Sequence, residues 1–84
     1  MTFVNTLQQL GQVVREARRA AKMTQAELAS QSGVSRYTVI RFETGKLPDI
    51  NYKTLVSILR ALGLELQVGE ERVSGLPILG EGDD

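Results

Sequence analysis

Residues 24–45 constrain the fold more tightly than any other part of the chain. Thr24 followed by Glu27 is a capping box, in which a hydroxyl takes a backbone N–H and the acid three residues on reaches back. Ser32-Gly33-Val34 then interrupts the helical pattern, because a glycine enters the left-handed conformation that closes a helix at little cost. Ser35 opens the next helix, which runs out at Thr44-Gly45. The pattern predicts helices over 25–31 and 36–43, set at an angle across a three- or four-residue glycine turn.

Flanking segments supply the remaining helices. Thr6 and Gln9 form a further capping box, and Leu7, Leu10, Val14, Ala17 and Ala21 recur at intervals of three and four, which predicts a helix over 7–21. Arg15, Arg18, Arg19 and Lys22 crowd its last two turns, where cations oppose the negative end of the dipole. After the loop Leu47-Pro48-Asp49-Ile50, Asn51 caps a helix over 52–62 with Leu55, Ile58, Leu59 and Leu62 on one face and Gly63 as its stop. Leu64-Glu65-Leu66-Gln67-Val68 alternates with period two and reads as a strand, although no second segment shares that pattern. Residues 69–84 are Gly-rich and acidic and read as a flexible tail with one apolar island, Leu76-Pro77-Ile78-Leu79. The expected class is all-α: a bundle of about four helices with a short C-terminal strand. The expected divisions are an N-terminal extension over 1–5, a helical domain over 6–63, the strand over 64–68 and the tail over 69–84. Leu7, Leu10, Val14, Leu28, Val34, Val39, Phe42, Leu55, Ile58, Leu59 and Leu62 are the expected core, since apolar stripes at helical spacing pack on one another.

Composition narrows the function. The 84 residues contain no Cys and no His, which removes disulfides, thiolate nucleophiles, zinc sites built on those ligands and His-based acid–base catalysis. No Gly-rich phosphate loop and no convergent carboxylate pair is apparent, so an enzyme with a small-molecule substrate is not expected, and no cofactor or metal is. Glu70-Glu71 and Asp83-Asp84 lack the spacing of a calcium loop. Without a basic start, a signal-peptide core or an apolar run near the roughly 20 residues of a membrane span, the chain reads as cytoplasmic and away from membranes. The net charge of zero conceals a division. Residues 1–60 hold nine Lys or Arg against four Asp or Glu, whereas residues 61–84 hold one Arg against six acids. A basic body with an acidic tail points to a polyanionic partner.

Thr24-Gln25-Ala26-Glu27-Leu28-Ala29, then Gly33-Val34-Ser35, then Phe42-Glu43-Thr44-Gly45-Lys46 resemble the helix-turn-helix family of phage repressors and xenobiotic-response-element regulators. Across 6–68, the loop with Pro48-Asp49 and a final helix running directly into 64–68 resemble the HipB-type antitoxins. That resemblance implies a cytoplasmic, nucleoid-associated homodimer that represses its own operon at an inverted-repeat operator and binds a HipA-like kinase toxin. It further implies that the terminal strand pairs with its copy, through Leu64, Leu66 and Val68. Arg18 and Glu43 match positions that form a partly buried ion pair in phage repressors of the family.

In a helix-turn-helix protein the second helix enters the major groove. On the helix over 36–43, Ser35, Arg36, Tyr37 and Arg41 share the outward face while Val39 and Phe42 point inward. Arg36, Tyr37 and Arg41 match the family's base readers, and Arg is the commonest specific reader of guanine. Gln25 matches a phosphate-binding position, and Ser35, Thr38, Thr44 and Lys46 are the other expected backbone contacts, setting register and not sequence. Arg15, Arg19 and Lys22 stay open between a solvated face and backbone contact. Two alternatives accompany the antitoxin reading: a stand-alone repressor of phage or restriction–modification type, and a protein-binding adaptor on the same fold.

Overall fold

Every helix begins where a side-chain oxygen replaces the missing backbone acceptor. The computed structural model describes residues 3–70, with α1 at Leu7–Ala20, α2 at Gln25–Ser32, α3 at Arg36–Glu43 and α4 at Tyr52–Ala61. The side chains of Thr6, Thr24, Ser35 and Asn51 accept from the backbone N–H groups of Gln9, Glu27, Thr38 and Thr54. Both expected capping boxes close: the Glu27 carboxylate accepts from the Thr24 N–H at 2.7 Å, and Gln9 does the same for Thr6 at 3.3 Å. Each such cap satisfies an orphan donor and contributes about 1 kcal/mol.

The four helix ends also share one device. The N–H groups of Met23, Val34, Lys46 and Leu64 donate to the carbonyls of Arg18, Ala29, Arg41 and Leu59 at 3.1, 3.1, 2.9 and 2.8 Å. This closing wrap needs a left-handed residue just before the donor. Gly33, Gly45 and Gly63 supply it without strain, but at the end of α1 the residue is Lys22, with φ 58°. The wraps place the ends of α1, α2 and α4 at Ala20, Ser32 and Ala61, one residue from the expected positions in each case. They also turn Met23, Val34 and Leu64 back onto the core.

Val14, Leu28, Ala29, Val39, Phe42, Leu55, Ile58 and Leu59 form the buried core, with Leu7, Leu10, Val34 and Leu62 packed half-buried around it. Ala29 is the buried member outside the expected set. Helix α2 packs on α3 and α4, and α1 packs on α3. At the α1–α3 crossing Gly11 is required: a Cβ there would fall on the Phe42 carbonyl.

The expected strand over 64–68 does not form, and these residues have no regular secondary structure. A strand exists through its ladder of hydrogen bonds, and no other segment among the described residues offers one. Nor do its apolar side chains share a covered face. Leu64 packs on the core, while Leu66 is 40% and Val68 94% exposed. Pairing across a dimer is likewise no feature of the single chain described. Most of the expected tail, including Leu76–Leu79, lies outside the described residues. No described helix is long and apolar enough to cross a membrane.

Candidate nucleic-acid interface

The site is built on α3, whose two sides are handled differently. Its inner side carries Val39, Phe42 and Glu43, all buried. Glu43 is tolerated there because its carboxylate is fully engaged. Arg18 of α1 donates from Nε to Oε2 at 2.7 Å and from Nη2 to Oε1 at 3.0 Å, a bidentate pair with side chains only 10% and 1% exposed. Gln25, the first residue of α2, donates from Nε2 to the same Oε1 at 3.2 Å. The remaining Arg18 nitrogen, Nη1, donates to the Met23 carbonyl at 2.7 Å. One carboxylate thereby ties α1, α2 and α3 together. A buried charge is stable only when it is paired and hydrogen-bonded in this way.

The outer side carries Ser35, Arg36 and Tyr37, all exposed. Arg41 is half-buried: its guanidinium lies 5.4 Å from the centre of the Tyr37 ring, and Nη2 donates to the Lys46 carbonyl at 2.8 Å. Tyr37 and Arg41 thus form one stacked unit, and the other Arg41 donors remain available because a guanidinium carries five. Lys46, just past the helix end, is exposed. Tyr37, Arg41 and Lys46 are therefore brought together towards the C-terminal end of α3, whereas Arg36, exposed in its first turn, lies in a cleft beside Glu43.

The other expected polar residues are already engaged within the chain. Ser35 Oγ accepts from the Thr38 N–H at 3.0 Å and lies 2.9 Å from Thr38 Oγ1. Thr44 Oγ1 donates to the Ile40 carbonyl at 2.8 Å, and Gln25 is held by Glu43. Leu64, Leu66 and Val68 sit apart from α3, where they line an open apolar groove with Phe3, Val4, Leu10, Val13 and Leu59.

Two cations that sequence reasoning left undecided join the site. Arg15 and Arg19 of α1 line a cleft with Arg36, Thr24, Gln25 and Thr44, and the Arg18–Glu43 pair forms part of its wall. The available signal was their spacing, since residues three or four apart share a helix face. Among the described residues, no group of three His, Cys, Asp or Glu side chains is placed to hold a metal.

Two short helices across a tight glycine turn, the second presenting cations outward, define a helix-turn-helix unit. The chain belongs to the helix-turn-helix family, whose model matches residues 14–68, and is a DNA-binding regulator of the xenobiotic-response-element type. Among solved structures, HipB in a HipB–O4 20mer complex superposes with a TM-score of 0.76 at 24% identity, covering 86% of this chain and 100% of that one. A chain of a HipA–HipB–O2–O3 complex gives 0.75 at the same identity and coverage. The restriction–modification controller protein C.AhdI from Aeromonas hydrophila gives 0.66 at 32% identity, covering 70% and 88%. The clp gene regulator ClgR from C. glutamicum gives 0.67 at 28% identity, covering 79% and 85%. No curated protein matches the chain.

Proposed function

We propose that this protein is a homodimeric, sequence-specific repressor that binds an inverted-repeat operator and autoregulates its operon as the antitoxin of a HipA-like kinase toxin. The observation that carries the DNA reading is the division of α3: Glu43 is fixed in a buried network while Arg36 and Tyr37 are exposed and Arg41 stacks on Tyr37. In the major groove, Arg36, Tyr37 and Arg41 meet base edges, and Gln25, Ser35, Thr38, Thr44 and Lys46 meet the phosphate backbone. Gln25 does so with its second amide hydrogen, since the first is given to Glu43.

On this reading residues 6–63 are the DNA-binding domain and residues 64–68 the dimerisation segment. The groove that Leu64, Leu66 and Val68 share with Phe3 and Val13 is open in the single chain, and a second copy both covers it and supplies the ladder that 64–68 lacks. Two recognition helices then fall on half-sites about one helical turn, roughly 34 Å, apart. Likeness in fold to HipB over that protein's whole chain supports the antitoxin role. The higher identity to C.AhdI favours a second reading, a stand-alone controller without a toxin partner.

Two measurements test this. Sedimentation of the purified protein with a fragment of its own promoter is expected to give two protein chains per duplex; failure to bind that fragment at low ionic strength contradicts the DNA reading. Co-expression with the neighbouring reading frame separates the two roles. A stable complex with a kinase-like product supports the antitoxin, and a free repressor supports the stand-alone controller.

A further inference from the structure

The cleft beside the ion pair holds more positive charge than the fold uses. Arg15, Arg19 and Arg36 are exposed along it, whereas Arg18 is cancelled by Glu43. Among the described residues no carboxylate pairs with the three, Arg18–Glu43 being the sole ion pair. Cations gathered on one cleft repel one another, and an anion placed among them removes that repulsion.

The chain carries a matching anion of its own. Residues 61–84 hold six acids against a single Arg, and three of those acids, Glu81, Asp83 and Asp84, cluster within four residues. Fourteen residues follow Glu70, the last one described. At about 3.3–3.6 Å per residue they span at most about 46–50 Å. Glu70 lines the same groove as Val13 of α1, and Arg15 and Arg19 of the cleft follow within six residues on that helix, so the cleft lies well within this reach.

We propose that the C-terminal acids Glu81, Asp83 and Asp84 seat in the Arg15–Arg19–Arg36 cleft of the DNA-free protein and compete there with DNA phosphates. The competition rests on the DNA reading above; the seating does not. A tether of this length gives an effective concentration in the millimolar range, so a weak carboxylate–guanidinium contact holds the segment in place. Binding to random DNA is almost wholly electrostatic and is suppressed most, whereas an operator adds base contacts that displace the segment. The acidic end thereby acts as a filter for specificity.

The test uses the full chain with Glu81→Gln, Asp83→Asn and Asp84→Asn together. In the DNA-free protein at low salt, the Nε–Hε NMR signals of Arg15, Arg19 and Arg36 are expected to shift relative to the parent, with Arg60 unchanged. Affinity for a random duplex is expected to rise about 3–10-fold at low salt, with the gain vanishing at high salt. Arg15→Gln with Arg19→Gln is expected to abolish the difference between parent and neutralised tail. Unchanged Arg signals overturn the proposal, as does an equal shift of every arginine, which would reflect a diffuse field. Cleft-specific shifts in a protein that binds no duplex would uphold the seating and refute the DNA reading instead. Cleft-specific shifts with unaltered duplex affinity would overturn the competition.

Discussion

The two sides of α3 obey different rules within eight residues. On the inner side the Glu43 carboxylate accepts three hydrogen bonds from two other helices, and Val39 and Phe42 fill the core. On the outer side Arg36 is exposed with no ion-pair partner among the described residues, and Tyr37 is 66% exposed. Inner residues answer to the folding equilibrium, because each one's removal leaves a cavity or an unpaired charge. Outer residues can change without disturbing the fold, which is the condition a recognition surface needs. The difference teaches that stability and binding are separable on this helix, and mutations can be sorted by side.

The largest expected effect comes from the inner side. Glu43→Ala leaves Arg18 charged and buried without its partner and is expected to cost about 3–5 kcal/mol in urea unfolding. An intact unfolding midpoint for this variant would erase the distinction between the sides. Gly11→Ala drives a methyl into the Phe42 carbonyl and is expected to cost about 1–3 kcal/mol by the same measurement, as α1 is pushed off α3. A loss below about 0.5 kcal/mol would mean that the α1–α3 crossing yields and that α3 is not rigidly mounted. The smallest effect has the opposite sign. Lys22 sits in the left-handed region with φ 58°, where the other three helix ends use glycine, so Lys22→Gly is expected to raise stability by about 0.5–1 kcal/mol. Thermal unfolding by circular dichroism reads that gain, and a lower midpoint would show that the lysine side chain contributes more than its backbone strain costs.

What was legible in the sequence was local. Thr6, Thr24, Ser35 and Asn51 each announce a helix start within four residues, and all four caps form as expected. Gly33 and Gly63 announce ends equally locally; at the end of α1 the signal was silent because Lys22 fills a glycine's place. The tertiary facts were harder. Gly11 bears no mark of its role, since a mid-helix glycine reads only as a weak helix former until α3 lies against it. Gln25 matched a phosphate position, yet its amide also braces Glu43, a link over 18 residues that no local pattern encodes. Alternation at Leu64, Leu66 and Val68 was real, but alternation describes a face and not a ladder, and the single chain offers that ladder no partner. Arg36 lies nearer the face of Glu43, seven residues on, whereas Tyr37 and Arg41, four residues apart, could be assigned to one face from helical periodicity. That Arg41 would stack on Tyr37 and bond the Lys46 carbonyl could not.

The most direct measurement is the affinity of the parent and of Arg36→Ala for the protein's own promoter fragment and for random duplex of equal length, with Lys46→Ala as the control. Arg36→Ala is expected to lower the promoter-to-random ratio by about 1–3 kcal/mol while its unfolding midpoint stays put. Lys46→Ala should weaken both duplexes alike and flatten the salt dependence by about one phosphate. A promoter-to-random ratio that Arg36→Ala leaves untouched would contradict the assignment of the outer side of α3 to DNA recognition.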